Sequence, residues 1–254
     1  MTENPDGAHD PNVLLVWTTE TNSTRKMAEA AIRGVRSVPG VTCRDVLLET
    51  GDELTWQEVA SYDALILGTP VRHRTMHHRM KRFIEETLEI AWLDDSMVGM
   101  VGATFSVGGG HGDAGAGAEM CQLGMLAAMA ANGMILVPLP KCTPGADHAG
   151  LHWGPAGRTG GPRMEPYWPS EPMVEAAFHH GANVARVTQA LHGRRRDLFV
   201  RGNQAPSAEL VAAFRSGRAA DHPAVPEADA NPGYRQPAPE GFVSGRTVVD
   251  DDQT

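Results

Sequence analysis

Cysteine, aromatic side chains and positive charge are all scarce in this chain, and long apolar runs are missing. Its 254 residues include three cysteines, Cys43, Cys121 and Cys142, widely spaced and without a C-x-x-C pair. That pattern excludes a disulfide scaffold and fits reduced thiols of a cytoplasmic protein. The 31 acidic residues outweigh 22 basic ones for a formal net charge of -9, which argues against non-specific nucleic-acid binding and against docking on an anionic membrane. No stretch approaches membrane-spanning length, and the polar start MTENPDGAHDPN has no apolar signal-peptide core. Three site signatures are also missing: the dinucleotide G-x-G-x-x-G, the phosphate loop G-x-x-x-x-G-K-[ST] and the hydrolase elbow G-x-S-x-G. A receiver domain would need acidic residues where Trp17-Thr18 and Gly68-Thr69 stand.

What is present alternates between strand and helix. Val13 to Trp17 is a short apolar run that empties into the hydroxyl cluster Thr18 to Thr24, and a helical pattern follows to Ser37, carried by Met27, Ala30, Ala31, Ile32 and Val35. A helix start behind such a loop offers free N–H groups and a positive dipole end, which together suit a phosphate. Val41 to Leu47 reads as the second strand, Thr55 to Glu58 as a capping box, and Ala64 to Leu67 as the third strand, stopped by Gly68-Thr69-Pro70. A helix is predicted from Met76 to Ala91, with Met80, Phe83, Ile84, Thr87 and Leu88 on its buried side. The fourth strand lies within Met97 to Val107 and opens into a glycine-rich loop up to Gly117. A helix from Glu119 to Ala131 follows, closed by Asn132-Gly133, and Met134 to Val137 is the fifth strand. Residues 140–172 read as a long Gly/Pro/Trp-rich loop insertion, and helical periodicity resumes from Met173 to His192.

Five alternations predict an open parallel sheet with helices on both faces. Ligands of such sheets sit beyond the carboxyl ends of the strands, so the loops 18–24, 68–76 and 106–117 are expected to face one crevice. The domain is expected over 12–192, between a mobile N-terminus, 1–11, and a partly disordered extension, 193–254, poor in apolar residues. His73 and His77, four apart, are read as solvated or ligand-edge histidines and no metal site is expected. His179-His180 reads as structural, and Arg194-Arg195-Arg196 as a solvated charge run.

The segments VLLVWTTETNSTRKMAEAAIRGV, YDALILGTPVRHRTMHHRMKRFIEET, VGATFSVGGGHG and LAAMAANGMILVPLP occur in this order. Together they resemble the WrbA-type NAD(P)H:quinone oxidoreductases of the flavodoxin-like superfamily over about residues 12–192. GTPVR at 68–72 with Met76, Met80, Lys81 and Phe83 is the most specific part. The resemblance implies a five-stranded sheet of order 2-1-3-4-5, FMN as cofactor, NAD(P)H as electron donor, a quinone or similar small electrophile as acceptor, and a homodimer or homotetramer.

By the same resemblance, Thr19, Thr21, Asn22, Ser23 and Thr24, with Glu20 among them, take the place of the FMN phosphate loop. Pro70, Val71, Arg72, His73, Arg74 and Thr75 match the segment lining the isoalloxazine ring. Arg72 is the candidate for stabilising charge at the N1/C2-carbonyl edge, with His73 beside it. Ser106, Val107, Gly108, Gly109, Gly110 and Gly112 match the loop on the ring's other side. His111, Asn132 and Trp153 are candidates for the substrate face. Three residues depart from the family's pattern: Glu20 inside the phosphate loop, Arg74 where glycine is usual, and Asn132 where histidine is common. These departures keep two other readings open, a flavodoxin-type electron carrier and a divergent flavodoxin-fold biosynthetic enzyme.

Overall fold

The computed structural model describes residues 9–49, 54–93, 95–109, 117–161, 163, 165, 167–195, 197–200 and 211–212. The chain divides into two compact units, residues 1–205 and 206–254. The fold below is that of the first. Gly110, His111 and Gly112, expected in the ligand loop, residues 1–8 and most of the extension lie outside the described residues.

The elements in order are β1 (Asn12–Trp17), α1 (Ser23–Arg36), β2 (Thr42–Leu47), α2 (Trp56–Ala60), β3 (Ala64–Arg72), β4 (Thr75–Met76) and α3 (His78–Phe83). A π-helical turn, Ile84–Leu88, carries α3 into α4 (Glu89–Trp92). Then come β5 (Val101–Gly108), α5 (Ala118–Ala131), β6 (Ile135–Leu136), α6 (Ala146–Ala149), β7 (Ala156–Arg158) and α7 (Glu171–Leu191). The main sheet is parallel with order β2-β1-β3-β5-β6, the expected 2-1-3-4-5 when its five principal strands are counted.

Two short strands are additions to that expectation. β4 folds back antiparallel on β3, and β7 pairs parallel with Ser106–Gly108, further along β5 than the Val101–Gly102 stretch that pairs with β6. The outer strand is thus split. Residues 140–172, read as loop from their Gly and Pro content, return to the sheet as β7 and also hold α6.

β1 is apolar from Val13 to Trp17 because both of its faces are covered there. Val13, Leu15 and Trp17 join Ile66, Ala103 and Phe105 under α1 and α7, while Leu14 and Val16 join Leu65, Leu67, Met80, Phe83, Met125 and Met129 on the other face. Gly34 of α1 lets the two covering helices meet backbone to backbone. A Cβ there would stand 1.8 Å from the Phe178 carbonyl oxygen of α7.

The chain beyond α7 is pinned to the opposite edge of the sheet from the ligand loops. Arg195 is not a solvated charge: its guanidinium donates to the carbonyls of Val98, Ala60, Tyr62 and Ser96.

Candidate functional site

Beyond β1 the chain needs a left-handed residue to enter α1, and Asn22 supplies it with φ 61°. Asparagine tolerates this region better than other non-glycine residues. Asn22 makes no side-chain capping bond, and no acidic residue occupies the first turn. The first N–H groups of α1 therefore have no capping side chain. In the loop leading to them and in the first turn, the hydroxyls of Thr18, Thr19 and Thr24 are buried and have no hydrogen-bond partner. Thr21 and Ser23 pair with each other at 3.2 Å between their oxygens, at the exposed rim. Buried hydroxyls are normally satisfied, so three orphans in one stretch leaving β1 for α1 leave polar groups open to a ligand such as an anion. Thr18 was not among the residues carried over by resemblance, although it continues the same hydroxyl run.

Glu20 does not repel such an anion head-on. Its carboxylate turns to β3 and β4, pairing with the Arg72 guanidinium and lying 2.8 Å from His77 Nε2. His77 is buried and caps α3 by accepting the Arg79 N–H on Nδ1 at 3.3 Å. That bond requires Nε2 to carry the proton, which it donates to Glu20. Burial first, then the nearby side chains of His78, Arg79 and Arg72, lowers the His77 pKa to about 4. His77 is not the solvated histidine of one sequence reading: it is a buried cap, while His73 sits exposed on a hairpin tip. Glu20, Arg72, Thr75, Met76, His77, His78 and Lys81 line a cavity of about 510 Å³.

The β3–β4 hairpin pairs Val71 with Met76 and Arg72 with Thr75, which leaves His73 and Arg74 as a two-residue turn with φ 44° and 68°. Both positive values match the mirror-image turn that right-twisted hairpins prefer, normally built with glycine or asparagine. Pro70 and Val71 are half-buried at the strand end. Arg74 crosses to the third loop and covers Gly117, where a Cβ would stand 2.5 Å from the Arg74 Cα. Gly117, at φ 78°, is the residue from which α5 starts.

The third loop is shorter than expected. Ser106 and Val107 do not line it: Ser106 is buried in β5, its hydroxyl accepting from Gln122 Nε2 at 3.1 Å and its N–H donating to Pro155, and Val107 packs in the core under α1 and α7. The Gly108 carbonyl accepts the Thr159 N–H. Pairing with β7 consumes these groups, a contact between segments too far apart to show in local pattern. Gly109 is exposed at the loop's beginning.

Asn132 is not part of this chain's own crevice: it ends α5 at the N-terminal edge of the sheet and donates to the Ala128 carbonyl at 3.0 Å. Trp153 is partly exposed, its indole N–H donating to Glu119 in the first turn of α5.

No protein-family model matches the chain. An NAD(P)H dehydrogenase (quinone) from Archaeoglobus fulgidus is 30% identical over 201 residues, 70% of this chain and 98% of that protein. One of the same name from Geobacter sulfurreducens is 30% identical over 209 residues, 72% of this chain and 100% of that protein. The chain belongs to the NAD(P)H dehydrogenase (quinone) family. A solved relative in fold, the flavodoxin, WrbA-like protein from Agrobacterium tumefaciens, superposes with TM-score 0.54 at 20% identity, over 72% of this chain and 99% of that one. Within this family frame, the orphan hydroxyls of β1–α1, the Glu20–Arg72–His77 cluster and the hairpin tip form one continuous rim at the carboxyl ends of β1 and β3.

Proposed function

We propose that this chain is an FMN-dependent oxidoreductase that takes electrons from NAD(P)H and passes them to a quinone or similar small electrophile. The observation that carries the reading is the trio of buried, unpartnered threonine hydroxyls at the uncapped start of α1, in a chain of this family. They fit a phosphate monoester, which would also accept the first N–H groups of the helix. The flavin supplies the hydride chemistry when bound, and the protein supplies binding, orientation and electrostatics.

Thr18, Thr19, Thr24 and the α1 N-terminus hold the phosphate. Arg72 is shared with Glu20, so the charge it offers to the ring edge is reduced. Glu20 in turn is held by two donors, and that restraint keeps the carboxylate away from the phosphate. The His73-Arg74 turn forms one wall and Gly109 begins the other. No side chain is needed as a general acid, because the flavin would supply the chemistry and the protein's residues would bind and orient it. Among the described residues no helix is long and apolar enough to cross a membrane. A cytoplasmic homodimer or homotetramer is the expected setting, and the exposed Trp92, Met120, Tyr167 and Trp168 offer apolar surface for such contacts.

The purified protein should be yellow or become so with added FMN, bleach with NADH or NADPH without oxygen, and regain colour with a benzoquinone. A colourless protein that ignores FMN overturns the reading. Fast reduction by a partner reductase, with none by free NAD(P)H, would favour an electron carrier instead.

A further inference from the structure

We infer that His9, Asp63 and His192 form a binding site for a divalent transition metal, at the edge of the sheet opposite the flavin crevice. The three residues come from the lead-in to β1, the turn before β3 and the end of α7. Asp63 Oδ2 lies 3.1 Å from His192 Nδ1 and 3.7 Å from His9 Nδ1, and one donor atom from each residue lies within 4.8 Å of the other two. Two ligands bound to one tetrahedral zinc at its usual bond lengths stand about 3.3 Å apart. The observed separations straddle that value, so small side-chain rotations complete a three-ligand set.

The carboxylate is already oriented for this. The Asn12 N–H donates to Asp63 Oδ2 at 3.0 Å, and the Asp63 N–H donates to Asn12 Oδ1 at 2.7 Å, which fixes both the backbone and the side chain of the central ligand. Such outer partners are what hold a ligating carboxylate in place. The two imidazoles meet edge to face at 5.2 Å. His9 Nδ1 also lies 2.9 Å from the Asp10 carbonyl, a contact it gives up on binding metal. Asp63 and His192 are mostly covered while the His9 side chain is 58% exposed, so the fourth position opens to water.

Two imidazoles and one carboxylate suit Zn²⁺, Co²⁺ or Ni²⁺ and disfavour Mg²⁺ and Ca²⁺, which prefer all-oxygen sites. The bound ion ties the segment before β1 to the last turn of α7, closing the sheet's N-terminal edge without touching the crevice.

The test uses the full, untagged chain, stripped with a chelator and dialysed, then titrated with ZnCl₂ by calorimetry. One ion per chain should bind with micromolar or tighter affinity, and Zn²⁺ should raise the melting temperature. His9→Ala, on the exposed lead-in, and His192→Ala should each weaken binding at least tenfold while circular dichroism stays unchanged. MgCl₂ should give no heat. Absence of saturable Zn²⁺ binding overturns the site, as does equal affinity in wild type, His9→Ala and His192→Ala, which would assign the ion to other histidines.

Discussion

Replacing Thr24 by valine should move stability and cofactor affinity in opposite directions. Thr24 is the second residue of α1, 1% exposed, and its hydroxyl has no partner within the protein. Valine keeps the shape and removes the hydroxyl. An unsatisfied buried hydroxyl costs about 1–3 kcal/mol, so flavin-free protein should gain roughly 1 kcal/mol, about 2–4 °C in melting temperature for a domain of this size. With FMN bound, the same change deletes a hydrogen bond to a charged group, worth about 1.5–3 kcal/mol. The dissociation constant should therefore rise by about 10- to 150-fold. Thermal melts of the flavin-free protein and a fluorescence titration with FMN measure the two effects separately. A hydroxyl serving only the fold would lower stability and leave FMN affinity alone; that result refutes the phosphate assignment.

Glu20→Gln removes the loop's carboxylate and frees Arg72, so FMN should bind about tenfold tighter, ~1.4 kcal/mol; an unchanged titration would show that Arg72 does not act on the flavin. Arg74→Gly relieves a left-handed backbone of φ 68°, and the melting temperature should rise by about 2–4 °C for ~1 kcal/mol, whereas a fall would show that Arg74 matters more as cover for Gly117. Gly34→Ala drives a methyl into the Phe178 carbonyl and should cost about 3 kcal/mol or more, read as a melting temperature lower by roughly 6–12 °C. Burial holds His180, like His77, at a pKa of about 4, below the usual histidine value. Between about pH 6.5 and 4 the unfolded chain takes up protons that the folded chain refuses, so stability falls as pH drops through that window and levels off below it. His180 alone contributes on the order of 3 kcal/mol to that loss. Urea midpoints at pH 7.5, 5.5 and 4.5 check this, and a flat profile contradicts it.

The order of principal strands and helices was legible from residues close in sequence, but β3 runs on to Arg72 through the Gly68-Thr69-Pro70 expected to stop it, and Met76, expected to open a helix, pairs with Val71 in β4. The run VLLVW declared a strand covered on both faces because it lacks alternation, and Met27, Ala31 and Val35 declared the inner face of α1 by their spacing. The hydroxyl run at the entry to α1 was legible because a helix start and its loop are local features. The assignments that failed all depended on distant partners. Ser106 and Val107 looked like loop because β7, from a Gly/Pro-rich stretch, carries no strand signature of its own. Asn132 was placed by analogy, and only the path of α5 back across the sheet shows which edge it occupies.

The sequence by itself determined the order of elements, the parallel sheet and the hydroxyl-rich loop at the start of α1, since periodicity, caps and turn residues act within a few positions of one another. Tertiary structure alone decided that Glu20 is held by Arg72 and His77, that Arg195 is bound by four carbonyls, and that His9, Asp63 and His192 converge. These charges come from segments that meet only once the strands pair, and no local rule records which side chains a shared sheet edge will bring together.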